Sequence, residues 1–195
     1  MIVIGDVHGE YHTLLELIKI LPQTKDICFV GDLIDRGKNS KEVIKFVREN
    51  NYNCVMGNHE DMATCDTEYI KETWMLNGGW NTIQSYGGLQ EFYDHEDFLW
   101  MQELPLFIEY KDFLISHSFA TDGDETSVDD VLWGRSFMRD NCKPINIFGH
   151  TPMEEVKIIN NKHYCIDTGC TYGNKLSAID LRTKKVYSVD KIKEK

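Results

Sequence analysis

No apolar run in this 195-residue chain is long enough to cross a bilayer. The opening stretch, Met1-Ile2-Val3-Ile4, is too short for a secretory core and follows no basic segment. A cytoplasmic protein with no membrane partner is therefore expected. No Pro-, Gly- or Ser-rich stretch offers a linker and no repeat is present, so one domain over residues 1–195 is expected. The six cysteines form no Cys-x-x-Cys pair, which argues against a structural zinc site or a disulfide framework. Positive charge is also scarce: 21 Lys and Arg face 32 Asp and Glu, a net charge of −11. That balance disfavours nucleic acid as a partner. The acidic run of Asp122, Asp124, Glu125, Asp129 and Asp130 reads either as a solvated loop or as an attractor for a basic partner.

What is present is enough for a full core. Hydrophobic residues make up 42% of the chain and aromatics 11%, which excludes disorder for its body. The first half alternates short apolar runs with helix-period segments, the pattern of βαβ units. Strands are expected at 2–4, 27–30 and 53–56. A helix over 10–21 carries Leu14, Leu17, Ile18 and Leu21 on one face, and Ser40 is placed to cap a second helix bearing Val43, Ile44 and Val47. Residues 61–104 read as a helical insertion of two or three helices interrupted at Gly78-Gly79 and Gly87-Gly88, a region suited to substrate recognition. Strands follow at 106–110, 113–116, 145–148, 156–160, 163–167, 176–181 and 186–189, with a helix near 128–138. This order predicts an α/β protein whose two sheets pack face to face with helices outside.

Three blocks carry chemistry: Gly5-Asp6-Val7-His8-Gly9, Gly31-Asp32-Leu33-Ile34-Asp35-Arg36-Gly37 and Gly57-Asn58-His59-Glu60. Each ends an apolar run with oxygen or nitrogen donors suited to Mn²⁺, Fe or Zn²⁺. Asp6, Asp32, Asn58, His117 and His150 each follow a strand-like run by one or two residues, and ligand sites of open α/β sheets lie beyond strand C-termini. Asp6 and His8 are spaced to share one cation, although a solvated surface turn fits the same spacing. Asp32 can bridge two cations, and Asn58, His117 and His150 can complete the second. Arg36 offers a planar fork for phosphate, and Asp35 can orient a histidine; a salt-bridged turn is the plainer reading. His59, next to Asn58, is the natural general acid, its pKa raised by Asp35. Arg135 is a weaker second phosphate clamp, with Arg139 nearby on the same segment. Tyr172 reads equally as a residue overhanging the site and as packing.

With these blocks in this order, the chain resembles the phosphoprotein phosphatase family of metallophosphatases on the calcineurin-like fold. It is most similar to the small bacterial and phage serine/threonine enzymes of the bacteriophage lambda type. Outside the blocks, Trp74-Met75-Leu76-Asn77-Gly78-Gly79-Trp80 and Glu103-Leu104-Pro105-Leu106 resemble that subgroup. The resemblance implies a first metal on Asp6, His8 and Asp32 and a second on Asp32, Asn58, His117 and His150. It implies Arg36, Arg135 and Asn58 at the phosphate, His59 with Asp35 at the leaving group, and Mn²⁺ as the first choice for both metals. Ser118 departs from the alanine-glycine that many members carry after the metal histidine. Pro152 stands where diesterases place a second histidine, and Asp35 where symmetrical dinucleoside tetraphosphatases typically carry alanine.

The implied activity is hydrolysis of phosphoserine, phosphothreonine or phosphotyrosine, in a phosphoprotein or a small phosphoester, by water activated between two cations. The alternatives are a dinucleoside polyphosphate or nucleotide-cap hydrolase, with Trp74, Trp80 and Trp100 as stacking groups, and a silent phosphate-binding scaffold.

Overall fold

The computed structural model describes residues 1–119, 127–135 and 143–193. Strand β1 (Ile2–Ile4), helix α1 (Tyr11–Ile20), β2 (Ile27–Phe29), α2 (Ser40–Glu49) and β3 (Asn53–Cys54) form two parallel crossover units. Helices α3 (Asn58–Thr64) and α4 (Glu68–Trp74) follow, then a π-helical turn over Met75–Gly79 and α5 (Trp80–Tyr86), α6 (Leu89–Tyr93) and α7 (Glu96–Gln102). The second half contributes β4 (Phe107–Tyr110), β5 (Phe113–Ser116), α8 (Val128–Trp133), β6 (Ile145–Phe148), β7 (Lys157–Ile159), β8 (His163–Cys165), β9 (Lys175–Asp180) and β10 (Lys185–Asp190).

The strands form two mixed five-stranded sheets, β10-β9-β1-β2-β3 and β4-β5-β6-β8-β7. Alternation along β1 shows how they pack. Val3 faces inward with Cys28, Val30 and Val55, against Ile115, Ile147 and Tyr164 of the other sheet. Ile2 and Ile4 point the opposite way, onto Leu14 and Leu17 of α1 and Ile44 of α2. Each such side chain is buried, and full burial of a Leu or Ile is worth about 1.5–3 kcal/mol, so one-residue slips of β1 are strongly disfavoured. The α/β sandwich expected from the sequence is the fold observed.

Several local expectations change. The strand runs read as 27–30, 53–56 and 163–167 end earlier, at Phe29, Cys54 and Cys165. Ser40 is the first residue of α2 and does not cap it; its hydroxyl accepts the Asp35 N–H at 3.1 Å. The insertion holds more helices than expected: the helical path breaks at Gly78, whose φ of +105° is not helical, and turns again at Gly87-Gly88 and Asp94. Helix α8 covers 128–133, and residues 136–138 of the expected helix lie outside the described residues, as do Arg139, Asp122, Asp124 and Glu125. Within the acidic run, Asp130 shares a capping box with Ser127 and so fixes the start of α8. Ser118 docks this helix, donating through Oγ to the Asp130 carbonyl at 2.6 Å and through its N–H to that of Val131 at 2.8 Å. Among the described residues all five cysteines are free, and no helix is long and apolar enough to cross a membrane.

Candidate active site

The loops after β1, β2, β3, β5 and β6 converge and bring Asp6, His8, Asp32, Asn58, His117 and His150 together, all buried. Several of these turns are strained: His8, Asp32, Asp35, Arg36 and His150 all have positive φ, between 46° and 72°. For non-glycine residues this conformation costs energy and is retained where surrounding contacts enforce it. One such contact is the Glu60 carboxylate, which accepts the N–H groups of Asp32 and Leu33 at 2.8 Å, Gly57 at 3.0 Å and Ile34 at 3.3 Å. It ties the second block to the start of α3.

The donor geometry matches a cation site. His8 donates from Nδ1 to the Ile34 carbonyl at 2.8 Å, and His117 does the same to Val30 at 2.7 Å. A carbonyl only accepts, so each Nε2 presents a lone pair inward. His8 Nε2 lies 3.3 Å from Asp32 Oδ2, and His117 Nε2 lies 3.4 Å from Asp32 Oδ1 and 2.8 Å from Asn58 Oδ1. His150 Nδ1 sits 3.0 Å from the same Asn58 oxygen, and its Nε2 has no partner among the described residues. Lone pairs turned toward one another need a positive charge between them. Two overlapping groups, His8-Asp32-His59 and Asp6-Asp32-His117, each have their ligand atoms within 4.8 Å, with Asp32 common to both. The residues therefore fit cation binding around Asp32, the residue common to both groups.

Electrostatics agree. Burial pushes Asp6 well above the usual carboxylate range, and the charges of Asp167 and Asp32 push it further. Burial likewise raises Asp167 to about 6 and Glu60 to about 7. Burial holds His8 and His117 below the ordinary imidazole value and takes His150 to about 3. Asp32 is the exception: burial pushes it up, but His117, His59 and His8 outweigh that and hold it low.

His59 is arranged differently. Its Nδ1 donates to Asp35 Oδ2 at 2.5 Å, and its Nε2 points inward, 3.9 Å from Asp32 Oδ2. Burial would lower its pKa, but Asp32 and Asp35 outweigh that and raise it. Arg36 donates to His8 Nε2 and has its guanidinium carbon 5.2 Å from the Tyr172 ring centroid. Tyr172 is 65% exposed, so its ring is not packed in the core. Arg135 is exposed just past α8, close enough for its charge to act on His117, His150 and Asp167. Trp133 of α8 sets its ring edge-on to His150 at 6.2 Å. Of the tryptophans considered as stacking groups, Trp74 is buried, Trp100 half-buried and Trp80 exposed.

Sequence reasoning missed Asp167. It lies two residues past β8, the offset of Asp6 from β1, and its charge acts on Asp6. A strand drawn through 167 hides that offset. Glu60 stands within its block, but nothing in the sequence gives it a role.

The comparisons agree with this geometry. Residues 1–190 match the model of the calcineurin-like phosphoesterase family. Serine/threonine-protein phosphatase 1 of Salmonella typhimurium is 32% identical over 90% of this chain and 88% of its own. The asymmetrical bis(5'-nucleosyl)-tetraphosphatase PrpE of Oceanobacillus iheyensis is 30% identical over 96% of this chain and 90% of its own. The crystal structure of a candidate diadenosine tetraphosphatase superimposes with a TM-score of 0.78 at 19% identity, covering 99% of this chain and 94% of that one. From the family match, the sandwich and the converging donors together, the chain belongs to the calcineurin-like metallophosphoesterases.

Proposed function

We propose that the chain is a cytoplasmic, metal-dependent phosphomonoesterase acting on phosphoserine and phosphothreonine in proteins or small esters, with phosphotyrosine within its chemical reach. Asp6, His8 and Asp32 would hold one divalent cation, and Asp32, Asn58, His117 and His150 a second. Mn²⁺ is the first choice, and Fe or Zn²⁺ suits the same donors. Such a pair supplies Lewis acidity and a water of lowered pKa. Arg36 and Arg135, with the Asn58 amide, would bind and orient the phosphate oxygens.

The observation that carries the reading is the His59–Asp35 pair at 2.5 Å. A serine or threonine alkoxide is a poor leaving group and needs a proton as it departs. Two carboxylates raise the pKa of His59 against the effect of burial, and with Nε2 aimed into the site it is placed to give that proton. A phosphate anhydride leaves without such help. Residues 61–104 of this single domain would shape the substrate side of the site.

Dinucleoside polyphosphate hydrolysis is the second reading, supported by the PrpE relative and by Tyr172, whose exposed ring above Arg36 gives a base a face to stack on. A silent scaffold is disfavoured because every donor is present. The test is turnover of p-nitrophenyl phosphate by metal-stripped protein after Mn²⁺ is added back, then a phosphoserine peptide against diadenosine tetraphosphate. Restored turnover with preference for the peptide is expected. Preference for the dinucleotide would favour the second reading, and bound Mn²⁺ without turnover the scaffold.

A further inference from the structure

The helical insertion reaches the catalytic pair itself. Asp35 is fully buried, and three side chains give hydrogen bonds to its carboxylate: His59, Trp74 and Thr82. The Trp74 indole N–H spans both oxygens, 3.0 Å from Oδ1 and 2.9 Å from Oδ2, and the Thr82 hydroxyl donates to Oδ1 at 2.6 Å. The Asp35 backbone N–H is shared between the oxygens of Thr82 at 2.9 Å and Ser40 at 3.1 Å, which lie 3.0 Å apart. Trp74 ends α4 and Thr82 lies in α5, so the two arrive from either side of the π-helical turn.

That turn is shaped for the purpose. A Cβ on Gly79 would lie 2.6–2.8 Å from indole atoms of Trp74, so only glycine lets the ring lie flat there. Gly78, at φ +105°, offers its carbonyl to the Arg36 N–H, and the Asn81 side chain donates to the Arg36 carbonyl. One insertion thus grips both Asp35 and Arg36, two consecutive residues held at positive φ. Trp74 packs its ring on Phe92 at 5.5 Å, and its buried N–H, which needs an acceptor, finds one in the Asp35 carboxylate.

Resting on the general-acid reading of His59, we infer that Trp74 and Thr82 are positioning residues for the His59–Asp35 pair. They fix the Asp35 carboxylate, which then holds the imidazole with Nδ1–H outward and Nε2 toward the departing oxygen. Groups placed behind an active side chain typically contribute about 10- to 100-fold to activity.

The test compares Trp74→Phe and Thr82→Val in the Mn²⁺-loaded enzyme, with a phosphoserine peptide as alkyl substrate and p-nitrophenyl phosphate as aryl substrate. The expected loss in kcat is about 10- to 100-fold on the peptide and under about threefold on the aryl ester, with KM unchanged. Thr82→Ser, which keeps the hydroxyl, should recover most of the loss. In the metal-free protein, the downfield proton resonance of His59 Nδ1–H should move upfield or broaden in both variants. If Trp74→Phe does not fold, the isosteric Thr82→Val and its serine rescue decide. Equal losses on both substrates, or no loss with the resonance unmoved, would overturn the inference. His59→Asn separates the two levels: equal loss on both substrates there sinks the general-acid reading and this inference with it. Selective loss in His59→Asn, but not in the Trp74 and Thr82 variants, sinks this inference alone.

Discussion

Glu60→Gln should loosen the metal site from behind without altering a ligand. The carboxylate takes four backbone N–H groups, Asp32 and Gly57 on Oε2 and Leu33 and Ile34 on Oε1. A glutamine keeps one oxygen and turns an NH₂ toward the other two donors. Two buried N–H groups then lose their acceptor, at about 1–3 kcal/mol each, or about 2–6 kcal/mol in all. Some of this is returned, because Glu60 is raised to about 7 by burial and then by the Asp32 charge, and a neutral amide escapes both costs. At pH 8 the lost acceptors should win by about 2 kcal/mol, lowering the melting temperature by roughly 4–8 °C for a chain of this length. Because the Asp32 turn is then tied to α3 by half as many bonds, Mn²⁺ affinity should fall about tenfold or more. Thermal unfolding of the metal-free protein and calorimetric Mn²⁺ titration measure the two effects. A melting temperature within about 1 °C of wild type together with unchanged Mn²⁺ affinity would refute the reasoning.

Metal-free protein should lose stability as pH rises from 7 to 8.5, because Glu60 titrates at about 7 in the folded chain, well above its unfolded value. The folded chain then holds protons that the unfolded chain has released, so ∂ΔG/∂pH is negative across that window. Asp32 has the opposite shift but is ionised in both states there, and the depressed His8, His117 and His150 are neutral in both; below about pH 7 the unfolded histidines take up protons and oppose the slope. Melting temperatures in chelator at pH 7 and 8.5 check the sign, and saturating Mn²⁺ should remove most of the difference. Gly149→Ala places a Cβ 1.9 Å from Asp6 Oδ1 and 2.7 Å from Val30. It should cut Mn²⁺ binding by at least about tenfold, read by the same titration, because Asp6 must swing away from its ligand position.

The sandwich was legible because period-two apolar runs and period-3.6 helices both appear in order, and the convergence of the donor residues because they fall just past those runs. Asp167 obeys the same rule but is lost when the strand boundary is set two residues too late. Ser40 looks like a helix cap because serine before an apolar-periodic segment usually is one, yet its hydroxyl serves Asp35, five residues back. Gly78-Gly79 looks like a helix break. Only the packed structure shows that Gly79 makes room for the Trp74 ring and that the Gly78 carbonyl meets the Arg36 N–H.

By itself the sequence determined which side chains can bind cations and phosphate, and the strand ends that deliver them. Those are local properties of residue type and spacing. Tertiary structure decided which groups stand behind them: Glu60 28 residues from Asp32, Trp74 39 and Thr82 47 from Asp35. Such partners satisfy buried carboxylates and N–H groups across separate elements, and no period in the chain encodes which element will close over which.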